Sequence, residues 1–292
     1  MLDAIRALGS EVSVNSDFIE ITPAALNRNA TIHCGLAGTV MRFVPLMAAL
    51  NKGEITFEAD SEAKARPLNG VFDALDQLGV EYNKGAESFP FTVIGRGEVD
   101  ATEVILDASK SSQFVSALLL VAARFERGLL ITHQGESLPS IPHIEMTVKC
   151  LKDRGVTVER QSETSWQVSP GAIESKEIII EPDLSNAGAF LAAAMVTGGE
   201  LEISDWPKQT TQVGKQYIDL LTQMGASFEF TSGGLKIKSS GEIHGINADL
   251  SEAGELTPTI AALAVLADSP STLSGIAHLR GHETDRLAAL SA

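Results

Sequence analysis

The chain predicts an α/β protein built from a repeated supersecondary unit, with its most apolar helices inside and its strands outside. Three observations carry this. Four Ala-rich apolar segments, near residues 38–50, 113–123, 187–195 and 257–264, are each introduced by small or polar residues. A strand-like run follows each: Ile55-Thr56-Phe57, Leu129-Leu130-Ile131, Leu201-Glu202-Ile203 and Thr272-Leu273-Ser274. Gly9, Gly79, Gly155 and Gly225 each close a helix ahead of a β-rich run, at spacings of 70, 76 and 70 residues. Glycine after a helix is the expected left-handed cap, and a fixed period of this length marks repeated units. Each unit reads helix, strand, amphipathic helix, then two or three short strands. The first helix of each unit is apolar nearly all round and is expected to be buried.

In chain order, Leu2 to Leu8 is helix-like. Gly35-Leu36-Ala37-Gly38-Thr39-Val40-Met41-Arg42 reads as a small-residue turn opening a helix. Its first N–H groups have no intrahelical partner and sit at the positive end of the helix dipole, which suits an anion. Arg42, one turn on, adds a possible charge-assisted clamp, and Pro45 predicts a kink or a later start. Ala65-Arg66-Pro67 places Arg66 at the next helix start, with proline in its first turn. Amphipathic helices follow the helical spacing near 68–78, 143–153, 213–224 and from 283 onward.

Ser111-Ser112-Gln113 offers hydroxyls, an amide and free N–H groups in one turn, which suits a phosphate with neighbouring hydroxyls; plain N-capping explains it equally well. Leu138-Pro139-Ser140-Ile141-Pro142-His143 is a Pro- and Ser-rich turn in which Ser140 and His143 face a ligand or simply the surface. Glu255, after Gly254, places a carboxylate at the mouth of an apolar helix, as a dipole partner or as a general base with a shifted pKa. His282-Glu283-Thr284-Asp285-Arg286 packs four ionisable groups into five residues. His282 and Arg286 share a helix face, an arrangement that an anion between them would stabilise.

The 292 residues carry a net charge of −16 and 44% hydrophobic residues, with few aromatics. No basic patch suggests nucleic acid, and no apolar run reaches the roughly 18 residues of a membrane span. Two cysteines, Cys34 and Cys150, are too few for a disulfide framework and read as free, buried thiols of a reducing, cytoplasmic compartment.

Taken together and in order, these residues resemble the enolpyruvyl transferases, in the branch that acts on shikimate 3-phosphate. The match runs from Gly35–Arg42 through Ala65-Arg66-Pro67, Ser111-Ser112-Gln113, residues 138–143, 183–190 and Glu255 to Arg280-Gly281-His282-Glu283-Thr284-Asp285-Arg286. The resemblance implies two barrel-like, inside-out α/β domains of βαβαββ units, three per domain. About four of the six units are present: residues 1–180 as most of one domain and 181–292 as part of the other. It implies transfer of the enolpyruvyl group of phosphoenolpyruvate to the 5-hydroxyl of shikimate 3-phosphate with release of phosphate, in a monomeric enzyme needing neither metal nor organic cofactor.

By position, Gly38, Arg66, Gln113 and Arg286 would hold phosphoenolpyruvate. Ser111, Ser112, Gln113, Ser140, Glu255 and His282 would surround shikimate 3-phosphate. Glu255 and His282 are the expected catalytic groups, Glu255 as base for the 5-hydroxyl. Many members carry Lys where His282 stands and Asn where Leu36 stands. The family's opening Pro-Gly-Ser-Lys-Ser segment and its closing Asp-His-Arg-Met segment are absent here, so this chain alone is expected to release little or no phosphate from the two substrates. The alternatives are a shikimate-phosphate-binding remnant without catalysis, and the related transferase acting on UDP-N-acetylglucosamine. The latter is disfavoured because no cysteine lies in residues 59–64.

Overall fold

A computed structural model describes residues 1–84, 88–281 and 285–292, with Lys84 and Gly281 described by their backbone alone. His282, expected to be catalytic, lies outside the described residues, as do Glu283 and Thr284. The chain divides into two compact units. The first comprises residues 1–138 and 147–175, and the second residues 139–146 and 176–292.

The first unit opens with α1 (Leu2–Ala7) and the antiparallel pair β1 (Glu11–Val14) and β2 (Ile19–Thr22). Two full repeats follow. The first is β3 (Ala30–His33), α2 (Gly38–Ala48), β4 (Lys52–Glu58), α3 (Asn69–Gln77), β5 (Glu81–Lys84) and β6 (Phe91–Arg96). The second is β7 (Glu103–Leu106), α4 (Gln113–Ala122), β8 (Leu129–His133), α5 (Ile141–Lys152), β9 (Val158–Ser162) and β10 (Ser165–Val168), with the first turns of α5 grouped in the second unit. Both repeats make a four-stranded sheet of identical order: β3-β4-β6-β5 and β7-β8-β10-β9. In each, the helix-linked first pair is parallel and the remaining pairs are antiparallel.

The second unit continues with α6 (Leu184–Thr197), β11 (Glu200–Ser204), α7 (Tyr217–Gln223), β12 (Ser227–Phe230) and β13 (Gly234–Lys238), in a three-stranded sheet ordered β11-β13-β12. The last repeat has β14 (Asn247–Asp249), α8 (Thr257–Ala264), β15 (Thr272–Ser274) and α9 (Arg286–Ser291), with β14 and β15 parallel. The βαβαββ unit is thus present twice in full and several times in part. Among the described residues the sheets are open and none closes into a barrel.

The apolar helices behave as their composition dictates in the first unit. α2 and α4 pack against each other. Along α4 every residue from Phe114 to Leu119 is buried. Phe57 and Phe91 stack at 4.9 Å, with Phe72 edge-on to Phe91 at 5.1 Å, so three of the chain's few aromatics pack together, all buried. In the second unit the expectation of all-round burial is corrected. Leu184, Leu191 and Met195 of α6 are in the core, but Phe190 is 62% exposed and Val196 is exposed too.

Gly9, Gly79, Gly155 and Gly225 all have positive φ, between +67° and +115°, as a helix-ending glycine requires. α2 starts at Gly38 and accommodates Pro45 in its interior, so the proline does not delay the helix. Arg66 precedes α3 by three residues rather than opening it, because the chain makes a further turn through Leu68.

Cys34 is buried and burial pushes its thiol up to about 12, whereas Cys150 is exposed on α5, contrary to the expectation of two buried thiols. One equivalent of iodoacetamide is therefore expected to label the native chain at Cys150 alone, and a second to be taken up only on denaturation. Mass spectrometry checks this; rapid native labelling of Cys34 would contradict its burial.

Candidate functional site

The structure assembles most of the expected residues, His282 and Arg286 apart, into two clusters, one in each unit. In the first unit the N-terminus of α2 is the centre. Gly38 begins the helix and no side chain caps it. A Cβ at Gly38 would lie 3.5 Å from Arg42 Nη1, 3.6 Å from Arg66 Nη1 and 3.8 Å from Gln113 Oε1. Two guanidinium groups and an amide therefore ring the space in front of the free helix N–H groups. Arg42 is buried, lies over the Phe114 ring and donates from Nη1 to Gln113 Oε1 at 2.8 Å. Arg66 donates from Nη1 to the Leu36 carbonyl at 2.6 Å, and its buried Nε has no hydrogen-bond partner among the described residues. Cationic donors converging on a helix N-terminus make an anion site.

The turn before α4 borders this cluster. Ser111 and Ser112 are both buried, and the Gln113 N–H meets Ser111 Oγ at a long 3.4 Å. Ser112 takes the N-cap position without a side-chain capping bond, so capping does not account for its hydroxyl. The loop leading to it is pinned from behind. Asp107 Oδ1 accepts from the Ser109 N–H at 2.8 Å, and the Ala108 N–H donates to Nδ1 of buried His133 at 3.0 Å. Nδ1 is thus the acceptor, which leaves the proton of the neutral ring on Nε2. Burial holds His133 below its ordinary pKa, and bonds from Ser109 hold the Asp107 carboxyl low.

In the second unit Glu255 is the centre. It sits in a short 3₁₀ turn, residues 254–256, directly ahead of α8, with its side chain 24% exposed. His143 Nε2, from the first turn of α5, lies 2.9 Å from Glu255 Oε1, and Ser185 Oγ, from the first turn of α6, donates to the same oxygen at 3.2 Å. The Glu255 bond holds His143 above its ordinary pKa against an opposing burial effect. His278 packs against the same turn: a Cβ on Gly254 would overlap its ring, and its pKa is lowered by burial.

Ser140 is buried in this unit with φ of 55°, a left-handed conformation that costs a non-glycine residue energy and tends to occur at functional sites. Arg286 begins α9, capped by the Asp285 carboxylate, which accepts from the Ala288 N–H at 3.0 Å.

Gly38, Arg66, Gln113, Ser111 and Ser112 come together in the first unit, and Ser140 and Glu255 lie in the second. Three participants lie outside the set assigned by family position. Arg42 was expected as a charge-assisted clamp and His143 as a residue facing a ligand or the surface, but the partner of neither was legible in the sequence. Ser185 had no local signal connecting it to a carboxylate 70 residues away.

Among the described residues no group of three or more His, Cys, Asp and Glu is placed to hold a metal ion, and no helix is long and apolar enough to cross a membrane.

A family described as EPSP synthase (3-phosphoshikimate 1-carboxyvinyltransferase) matches the chain over residues 1–292. The 3-phosphoshikimate 1-carboxyvinyltransferase of Kocuria rhizophila is 48% identical over 303 residues, covering all of this chain and 68% of that relative. Among solved structures, EPSP synthase from Acinetobacter baumannii superposes with a TM-score of 0.76 at 21% identity, over 99% of this chain and 68% of its own length. The enolpyruvyl transferase NikO from Streptomyces tendae superposes with a TM-score of 0.65 at 15% identity, over 93% of this chain and 65% of its own length. At such identities the two structures speak for the fold.

Proposed function

The chain belongs to the EPSP synthase family, and from that premise we propose that it carries the binding and base groups for moving an enolpyruvyl group from phosphoenolpyruvate to the 5-hydroxyl of shikimate 3-phosphate. In that reaction the hydroxyl oxygen bonds to C2 of phosphoenolpyruvate, C3 takes a proton, and the tetrahedral adduct then loses phosphate and the C3 proton to restore the double bond. The products are the enolpyruvyl ether and inorganic phosphate.

The observation that carries the reading is the convergence of Arg42, Arg66 and Gln113 on Gly38 at the free N-terminus of α2. Phosphoenolpyruvate presents a carboxylate and a phosphate on a three-carbon frame, and a helix N-terminus flanked by two guanidiniums matches a small molecule with two anionic groups. The buried hydroxyls of Ser111 and Ser112, in the turn that leads into Gln113, suit the phosphate of shikimate 3-phosphate; Ser140 and Glu255 are assigned to the same substrate by family position, Glu255 as base for its 5-hydroxyl. His282 and Arg286 are assigned to the same substrates by family position. Acid–base work falls to Glu255, whose partly buried carboxylate is already oriented by two donors. The preorganised cations supply the electrostatic part of catalysis. We place the protein in the cytoplasm and as a monomer, in keeping with its acidic balance and two free thiols.

Binding tests the reading directly. Isothermal titration is expected to show shikimate 3-phosphate taken up by the chain, and the Ser112→Ala variant is expected to weaken it about tenfold, the usual cost of removing a hydrogen bond to a charged group. A chain that takes up shikimate but does not distinguish it from its 3-phosphate would sink the assignment of the Ser111-Ser112 turn.

A further inference from the structure

We propose that His143 is a positioning residue for Glu255: with Ser185 it fixes one carboxylate oxygen, Oε1, and thereby reserves the other, Oε2, for the substrate hydroxyl. The proposal rests on the reading of Glu255 as the base.

Three chain segments far apart in sequence meet at this carboxylate: the first turn of α5, the first turn of α6 and the 3₁₀ turn ahead of α8. Both described donors fall on Oε1, His143 Nε2 at 2.9 Å and Ser185 Oγ at 3.2 Å. A carboxylate offers lone pairs on both oxygens, and among the described residues no hydrogen bond falls on Oε2. A base held by a second group on one side and open on the other is the arrangement that orients proton transfer in nucleophile–base–orienter sets.

The holding elements are themselves fixed. Asp183 caps α6, its Oδ1 accepting from the Asn186 N–H at 3.0 Å. Tyr217 of α7 donates from its hydroxyl to the Ser185 carbonyl at 3.3 Å, and a Cβ on Gly188 would collide with that hydroxyl. Ser185 therefore has little freedom to leave Glu255.

Among the described residues, the titratable groups around the pair are His278, which abuts the turn carrying Glu255, Tyr217 from α7 and Asp183 at the start of α6. His278 has its cationic form disfavoured by burial, whereas the Glu255 bond favours the cation on His143. The two histidines flanking one carboxylate are thus tuned in opposite directions, and His143 is the one that protonates to face it. The sign follows. A histidine whose pKa is raised on folding stabilises the fold fully below its ordinary value near 6.5, and that contribution is lost as pH rises through the folded value.

The test joins spectroscopy to a double-mutant cycle. In an NMR titration of the chain, the His143 ring is expected to titrate above the ordinary histidine value. Glu255→Gln should bring the midpoint down by about one unit, the shift that a lost charge-assisted bond produces. An unchanged midpoint would overturn the pairing. Shikimate 3-phosphate affinity is then compared across variants. His143→Ala is expected to weaken binding about tenfold, and His143→Gln, which keeps a donor without a titrating ring, to stay within about threefold of the native chain. Adding His143→Ala to Glu255→Gln should cost nothing more, because His143 acts through the carboxylate. Additive losses would mean that His143 touches the ligand itself and would overturn the positioning role. Failure of the native chain to bind shikimate 3-phosphate, with the NMR coupling intact, would instead overturn the reading of Glu255 as this reaction's base and leave only a structural pair.

Discussion

Arg66→Ala is expected to weaken phosphoenolpyruvate binding about a hundredfold, the loss appropriate to a bidentate charge-assisted contact, and to leave unfolding stability within about 0.5 kcal/mol of the native chain. The asymmetry comes from how little of this guanidinium the protein itself uses. Of its donors, Nη1 is spent on the Leu36 carbonyl, and buried Nε has no partner among the described residues. A protein of net charge −16 has carboxylates in excess, yet none of the described ones pairs with Arg66. The group is directed instead at Gly38, in company with Arg42 and Gln113. An anion there would accept what the protein leaves unspent. Arg66→Lys should recover part of the loss, since a lysine restores the charge but not the planar fork. Calorimetry with phosphoenolpyruvate in the presence of shikimate 3-phosphate makes the measurement. An Arg66→Ala variant within threefold of the native affinity would remove Arg66 from the site.

Gly95→Ala is expected to destabilise the first unit by about 3 kcal/mol or more, among the largest single-methyl effects available to this chain. Gly95 lies in β6 opposite Gly53 of β4. A Cβ there would overlap the backbone carbonyl oxygens of Asn51 and Ala48, at the corner where α2 turns into β4. That corner cannot yield cheaply. The Asn51 N–H donates to the Ala48 carbonyl at 3.0 Å, and the fully buried Asn51 side chain bonds both the N–H and the carbonyl of Arg28, at 3.1 and 2.8 Å. Relief must come from β6 moving off the sheet, which would loosen its contacts with β4 and β5. Urea unfolding gives the value directly. A loss below about 1 kcal/mol would show that the corner relaxes.

The repeat was legible because its causes are local. Glycines at 9, 79, 155 and 225 mark helix ends, since the conformation that stops a helix there is one that side chains resist, and all four adopt positive φ. The apolar faces of α2 and α4 were legible for the same reason: nothing but burial suits so many adjacent Ala, Val and Leu residues. The exposed Phe190 and Val196 on α6 show the boundary of that argument. Composition states that a face is apolar, but only the packed structure states what covers it.

The site divides along the same line. The expectation of an anion site at the helix opening at Gly38 follows from sequence, because free N–H groups, small residues and a nearby arginine are properties of one turn. The pairing of Arg42 with Gln113 across 71 residues, and of Glu255 with His143 across 112, does not. Those bonds depend on how separate helices meet, and no local preference encodes where a side chain finds a partner so far along the chain. The amino-acid sequence alone determined the repeating unit, the buried helices of the first unit and the groups expected to hold anions. Only tertiary packing decided which cation serves which acceptor and which oxygen of Glu255 stays open, because both are set by the meeting of elements distant in the chain.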